Sequence, residues 1–167
     1  MDLSHLDWPI GEQNKPQKKF VRTRKQTGNM GNVLIVHEHD ELRRVYHTHL
    51  ERDGFTVWTA ATLEDGRRII NEAEPDIILL DADYPNGSGF DGVQFCAEIR
   101  NKTQAHIILH SFNTYDLAAV TGLAAGADDY VSKASCYLAE ITALMDRAML
   151  RLETKQDGGA VESARQL

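Results

Sequence analysis

From Asn32 onward, short runs of apolar residues alternate with stretches whose apolar positions recur every three or four residues, and this alternation predicts strands and helices in turn. Val33 to Val36 is uninterrupted by polar residues, as a strand buried on both faces requires. Leu42, Val45, Tyr46 and Leu50 follow at helical spacing, and Gly54 ends that helix. Phe55 to Thr59 is β-branched and aromatic and predicts a second strand. Thr62, with Asp65 three positions on, opens a second helix whose Leu63, Ile69 and Ile70 face inward and which Pro75 stops. Asp76 to Leu80, apolar after its first residue, reads as a third strand, and Val93, Phe95, Cys96 and Ile99 mark a third helix. His106 to Leu109 is a fourth strand, Thr114 caps a fourth helix that ends at Gly126, and Tyr130 to Ser132 is a short fifth strand. Ser135 caps a long last helix carrying Leu138, Ile141, Leu144, Met145 and Ala148 on one face.

Strands that alternate with helices, without hairpin turns between them, call for a parallel sheet covered on both faces. Right-handed crossovers make this an α/β fold with a doubly wound, five-stranded parallel sheet flanked by five helices. The folded unit spans residues 32–153. Before it, residues 1–31 form a polar, flexible arm with Lys15, Lys18, Lys19, Arg22, Arg24 and Lys25 against Asp2, Asp7 and Glu12, a net +3. After it, Asp157, Gly158 and Gly159 open a polar tail over residues 154–167, too short for an output domain, so the chain is expected to act by contact.

Composition narrows the partners. The whole chain carries −7, so the part beyond the arm carries −10, which argues against nucleic acid as its partner. Apolar runs of four or five residues rule out a membrane-spanning helix, and the first thirty residues lack the apolar stretch of a secretory signal, which places the chain in the cytoplasm. Cys96 and Cys136 belong to no CxxC or Cys/His cluster. His37/His39 and His47/His49 are spaced two apart, which on a helix puts the members of a pair on different faces.

In a doubly wound sheet, ligands bind beyond the carboxyl ends of the strands. There the sequence collects His37 and Glu38, then Asp81 and Asp83, then His110 and Ser111, then Lys133. Carboxylates on adjacent strands repel each other unless a proton or a hard cation intervenes, and Mg²⁺ prefers such oxygen ligands. A hydroxyl and an ammonium complete an anion site, so the set offers a nucleophile and positive charge of the kind phosphoryl transfer needs.

The segments VLIVHEHDELRR, PDIILLDADYP, IILHSF and GADDYVSKAS resemble, in order and separation, the four signature segments of response-regulator receiver domains, from Asn32 to about Arg151. The resemblance implies a flavodoxin-like receiver fold and a two-component phosphorelay. By position, Asp81 is similar to the phosphoacceptor, Glu38 to a metal-binding acid, and Asp83 to the residue whose backbone carbonyl binds Mg²⁺. Ser111 and Lys133 match the two phosphate-sensing positions, and Tyr130 the aromatic switch residue. A histidine kinase or phosphotransfer protein is the implied donor. The fourth helix, fifth strand and fifth helix, about Tyr115 to Arg151, are the implied switching surface, suited to a homodimer or a docked partner.

Four positions depart from the family pattern. His37 stands where the first acidic residue is usual, and Glu38 is longer than the usual aspartate. Phe112 replaces a small residue, and Ala134 replaces a proline; a cis bond before a non-proline costs roughly 3 kcal/mol, which bears on the loop carrying Lys133. His37, Phe112 and Ala134 define the alternative of a receiver-like binding module that is not phosphorylated. His37 and His110 read as hydrogen-bonded polar residues at strand ends rather than ligands. Asp81-Ala82-Asp83 also matches the DxD motif of haloacid dehalogenase-like phosphatases, but two strands precede it here and little chain follows, so the reading is of a protein that is not itself an enzyme.

Overall fold

The computed structural model describes residues 29–84, 91–112, 116–134 and 138–164, and the side chains of residues 116–118 and of those beyond 154 fall outside that description. The strands are β1 (Asn32–Val36), β2 (Thr56–Ala60), β3 (Ile77–Asp81), β4 (His106–Ser111) and β5 (Asp129–Ser132). Between and after them lie α1 (Asp40–Arg52), α2 (Leu63–Ala73), α3 (Asp91–Arg100), α4 (Asp116–Ala124) and α5 (Leu138–Ala164). The strands are all parallel and lie in the order β2-β1-β3-β4-β5. The chain therefore winds outward in both directions from β1 and β3, and the order reverses between them, as the alternating pattern predicts.

The period-two rule of a strand divides the core into two layers. Leu34, Val36, Ile78, Leu80, Ile107 and Leu109 point to one face, where Ile69 and Ile70 of α2 and Phe95, Cys96 and Ile99 of α3 cover them. Val33, Ile35, Ile77, Leu79 and Ile108 point to the other, against Tyr46 and Leu50 of α1 and Ile141, Met145 and Ala148 of α5. Burial on both faces explains the unbroken apolar runs Val33–Val36 in β1, Ile77–Leu80 in β3 and Ile107–Leu109 in β4.

Helix ends follow local chemistry. Thr62 Oγ1 accepts the Asp65 N–H at 3.0 Å, and its own hydroxyl donates to Asp65 Oδ2 at 2.9 Å. Glu74, at φ 46°, takes the left-handed turn that ends α2 ahead of Pro75. At the far end of α4, Gly126 turns at φ 101°, close against the Arg100 side chain.

Three expectations change. The chain joins the fold before Asn32, because Met30 N–H donates to the Gly54 carbonyl at 3.0 Å and the Gly31 carbonyl accepts the Thr56 N–H at 2.9 Å. The last helix continues to Ala164, through the Asp157-Gly158-Gly159 segment. Glycine weakens a helix interior by only about 1 kcal/mol per residue, and alanine and glutamate follow on the far side. Leu138 is exposed, while Ile141, Met145 and Ala148 supply the buried stripe. The proposed caps Thr114 and Ser135 and residues 1–28 of the arm lie outside the described residues. No described helix is long and apolar enough to cross a membrane.

One contact ties the fold to the strand-end chemistry. A Cβ on Gly92, in the first turn of α3, would collide with the Asp81 carbonyl oxygen and lie 2.8 Å from Ala82 Cα, both backbone atoms that cannot yield cheaply. Gly92→Ala is therefore expected to lower stability by roughly 1–3 kcal/mol, read as a lower urea midpoint at unchanged slope.

Candidate functional site

Three polar residues interrupt the apolar face under α1 and α5 where the central strands end. Val36 pairs with Leu80 and Asp81 with His110 across the sheet, so His37, Asp81 and His110 sit side by side, exposed by only 1%, 3% and 0%. Lys133, just past β5, closes over them. Its N–H donates to the Ser111 carbonyl at 2.7 Å, and its side chain, 4% exposed, places Nζ 2.5 Å from Asp81 Oδ1. A buried carboxylate and a buried ammonium are each tolerable because the other is there.

Asp83 reaches back into the same cluster. Its N–H donates to Asp81 Oδ1 at 2.9 Å, which fixes a tight turn after β3. Its carboxylate takes three donors: Ser111 Oγ on Oδ1 at 2.5 Å, Phe112 N–H on Oδ2 at 2.7 Å, and Lys133 Nζ 3.3 Å from Oδ2. Burial raises the Asp83 pKa, but these hydrogen bonds and the Lys133 charge outweigh it and hold the carboxyl below its ordinary value. Phe112 is 61% exposed and lays its ring 5.0 Å from Lys133 Nζ, so the aromatic covers the ammonium at the mouth of the site.

His37 Nε2 lies 3.2 Å from Asp81 Oδ2 without the alignment of a hydrogen bond. Its Nδ1 accepts the His39 N–H at 3.1 Å, so the neutral ring carries its proton on Nε2, toward Asp81. Burial, outweighing the attraction of Asp81, pushes its pKa down to about 4. The family's first acid is thus replaced by a neutral donor. Arg43, which the sequence did not single out, caps the end of β1: Nη1 donates to the His37 and Glu38 carbonyls at 2.7 and 2.6 Å, and Nη2 to Asp40 Oδ1 at 2.8 Å. Nothing in the sequence separates Arg43 from the adjacent Arg44, since only the register of α1 against β1 aims one of them at the loop.

The structure thus brings together Asp81, Asp83, Ser111, Lys133, His37 and Phe112. Glu38 stands beside them, half-buried, with its carboxylate 3.5 Å from His39 Nε2. Ala134 N–H donates to Ser132 Oγ at 3.2 Å, and no described peptide bond is cis. Tyr130 packs inward beside the core, and α4 reaches it through Gly122, where an added Cβ would lie 3.1 Å from Tyr130 Cδ2.

The donor set suits a hard divalent cation. Carboxylates on Glu38 and Asp81 and the Asp83 carbonyl are oxygen ligands, and Mg²⁺ commonly takes one or two carboxylates and keeps its remaining waters. Among the described residues, no three acidic, histidine or cysteine side chains group into a metal cage by themselves.

His110 corrects an expectation. It is not a hydrogen-bonded strand terminus, because neither ring nitrogen has a partner among the described residues. The ring packs 5.7 Å from that of Tyr46 instead, and burial pushes its pKa down to about 4.

Comparison with known proteins agrees with this fold. The response regulator receiver domain family matches residues 33–146. The transcriptional regulatory protein AfsQ1 of Streptomyces coelicolor is 40% identical over 104 residues, 62% of this chain and 45% of that protein. The KDP operon transcriptional regulatory protein KdpE of Escherichia coli is 38% identical over the same shares. The chain thus spans about 45% of the length of these curated relatives. Among solved structures, the BeF3-activated N-terminal receiver domain of RstA from Klebsiella pneumoniae shares the fold at 23% identity, with TM-score 0.64 over 71% of this chain and 97% of that one. A CheY-like receiver domain protein from Methanospirillum hungatei does so at 21%, with TM-score 0.68 over 75% and 98%.

Because the folded-state pKa of His110 lies near 4, below the ordinary 6.5, the unfolded chain takes up a proton in that window that the folded protein refuses. Stability is therefore lost as pH falls from 6.5 to 4 and is unaffected above it. His110→Phe is expected to match the wild type or exceed it at pH 7 and to flatten this loss, the difference reaching about 3 kcal/mol near pH 4 in urea titrations.

Proposed function

The chain belongs to the response regulator receiver domain family, and on that premise we propose that it is a phosphoacceptor of a two-component phosphorelay, modified on Asp81 and not itself an enzyme. The observation that supports this most directly is the approach of Lys133 Nζ to Asp81 Oδ1 at 2.5 Å in a buried site. An ammonium so placed offsets negative charge where a phosphoryl group arrives, and in such transfers positioning and charge stabilisation do most of the work.

In the proposed reaction a histidine kinase or phosphotransfer partner presents a phosphohistidine. An Asp81 carboxylate oxygen attacks phosphorus, the bond to the imidazole nitrogen breaks, and an acyl phosphate forms. Glu38, Asp81 and the Asp83 carbonyl would hold Mg²⁺, whose charge offsets that of the incoming oxygens. Lys133 and Ser111 then bind phosphoryl oxygens, and Tyr130 reports the change to the face formed by α4, β5 and α5.

That face carries exposed Val120 and Leu123 on α4 and Leu150 on α5, and beside them Asp129 pairs with Arg147 and Arg151 at 3.0 Å each. Apolar side chains among charges of both signs suit docking of a protein, a second copy of the chain included, and the proposed location is the cytoplasm. The transcriptional role in the relatives' names belongs to longer proteins; for this chain we propose the receiver step alone.

The test is intact mass after incubation with Mg²⁺ and a small acyl phosphate. A phosphoryl adduct is expected on the wild type and not on Asp81→Asn. An unmodified wild type, coupled with no change in thermal stability on adding beryllium fluoride, would leave the chain as a receiver-like module that is not phosphorylated.

A further inference from the structure

The donors that a phosphoryl group needs are already engaged by a carboxylate of the chain itself. Ser111 Oγ and Phe112 N–H, at the end of β4, each hold one oxygen of Asp83, at 2.5 and 2.7 Å, and Lys133 Nζ, from the end of β5, approaches the second at 3.3 Å. A hydroxyl, a backbone amide and an ammonium converging from two strands on one anion form an oxyanion cradle, and the anion in it is the chain's own Asp83 carboxylate.

The occupant is also tethered. Asp83 stands two residues after Asp81, and its N–H on Asp81 Oδ1 at 2.9 Å folds the turn so that its side chain lies beside the carboxylate to be modified. Such a tether gives an internal anion a high local concentration that a diffusing one must overcome. Asp83 remains 32% exposed, so it has an exit to solvent when something binds in its place.

We propose that the Asp83 carboxylate fills the phosphoryl cradle of the unphosphorylated protein, so that phosphorylation of Asp81 displaces it and makes Ser111 and Lys133 exchange one anion for another. This rests on the reading of Asp81 as the phosphoacceptor. Asp83 is then the residue that sets how readily the site accepts a phosphoryl group. If it fills the cradle about nine-tenths of the time, the apparent affinity for any other occupant falls about tenfold.

Two measurements on the whole chain, with Asp83→Ala and the isosteric, uncharged Asp83→Asn, test this. Without Mg²⁺ or a phosphoryl donor, the Phe112 amide proton of the wild type is expected far downfield in a ¹H–¹⁵N spectrum, as a charge-assisted hydrogen bond requires, and upfield of that in both variants. With Mg²⁺ and a small acyl phosphate, both variants are expected to accumulate the adduct faster, Asp83→Ala by about tenfold. A wild type that is labelled, with variants labelled no faster and a Phe112 amide that does not move, overturns the inference and leaves Asp81 as phosphoacceptor. Absence of labelling in all three removes the Asp81 reading and the displacement with it, while the Phe112 shift still reports separately whether Asp83 fills the cradle.

Discussion

Everything at the carboxyl edge of the sheet depends on one buried ammonium. Lys133 lies between Asp81 and Asp83 at 2.5 and 3.3 Å, almost wholly withdrawn from water. Desolvating an ammonium costs several kcal/mol, and the two carboxylates are the charges that offset that cost. They are in reach because β3 and β5 flank β4 in the sheet and end at the same level, a consequence of register rather than of any local sequence preference. The interaction explains why the polar residues can be buried at all: take Lys133 away and two negative charges are left facing each other in a low-dielectric corner.

The same charge balance gives the two imidazoles their place. His37 and His110 flank Asp81, and burial keeps both neutral at ordinary pH. A third acid at position 37 would place another negative charge beside Asp81 that the cluster would have to answer with a cation. A neutral His37 removes that demand and turns a proton toward Asp81 instead. Lys133 and the Asp83 amide donate to Asp81, and the His37 ring faces the same carboxylate at 3.2 Å.

Legibility followed from how far each feature depends on neighbours distant in the chain. Val33 to Val36 and Ile107 to Leu109 declared themselves as buried strands because burial on both faces leaves no polar position to blur the pattern. The site residues were legible for the same reason: chemistry that follows a buried strand has only one edge to occupy. The partners of these residues were not. Asp83 was assigned a role for its carbonyl, whereas its side chain makes the stronger contacts, because a turn whose geometry no sequence rule specifies aims it at Ser111. Arg43 and His110 were missed or misread on similar grounds, since α1 packing selects the one and the lack of a hydrogen-bond partner among the described residues decides the other. Past residue 153 the polar composition hid a helix, whose continuation is a matter of modest propensity costs rather than of pattern.

On the proposed function, the remaining question is how an exchange at the cradle reaches a surface. β5 is only four residues long, Asp129 to Ser132, and it is held at both ends by charge. At its start, Asp129 accepts from Arg147 and Arg151 of α5 and meets His106 Nε2 at 2.7 Å; just past its end, Lys133 grips the carboxylates. Between them Tyr130 packs toward α4 at Gly122. On that reading a change of partner at Lys133 would be taken up by this short, anchored strand as a whole, and Tyr130 and Asp129 would be the side chains through which α4 and α5 feel it. That is a physical route made of one element with contacts at both sites, and it needs no chain of intermediaries. It also explains why an internal anion would matter: if Asp83 already holds Lys133 as a phosphoryl group would, phosphorylation shifts the surface only by the difference between the two anions, and the chemistry of position 83 sets the size of that difference.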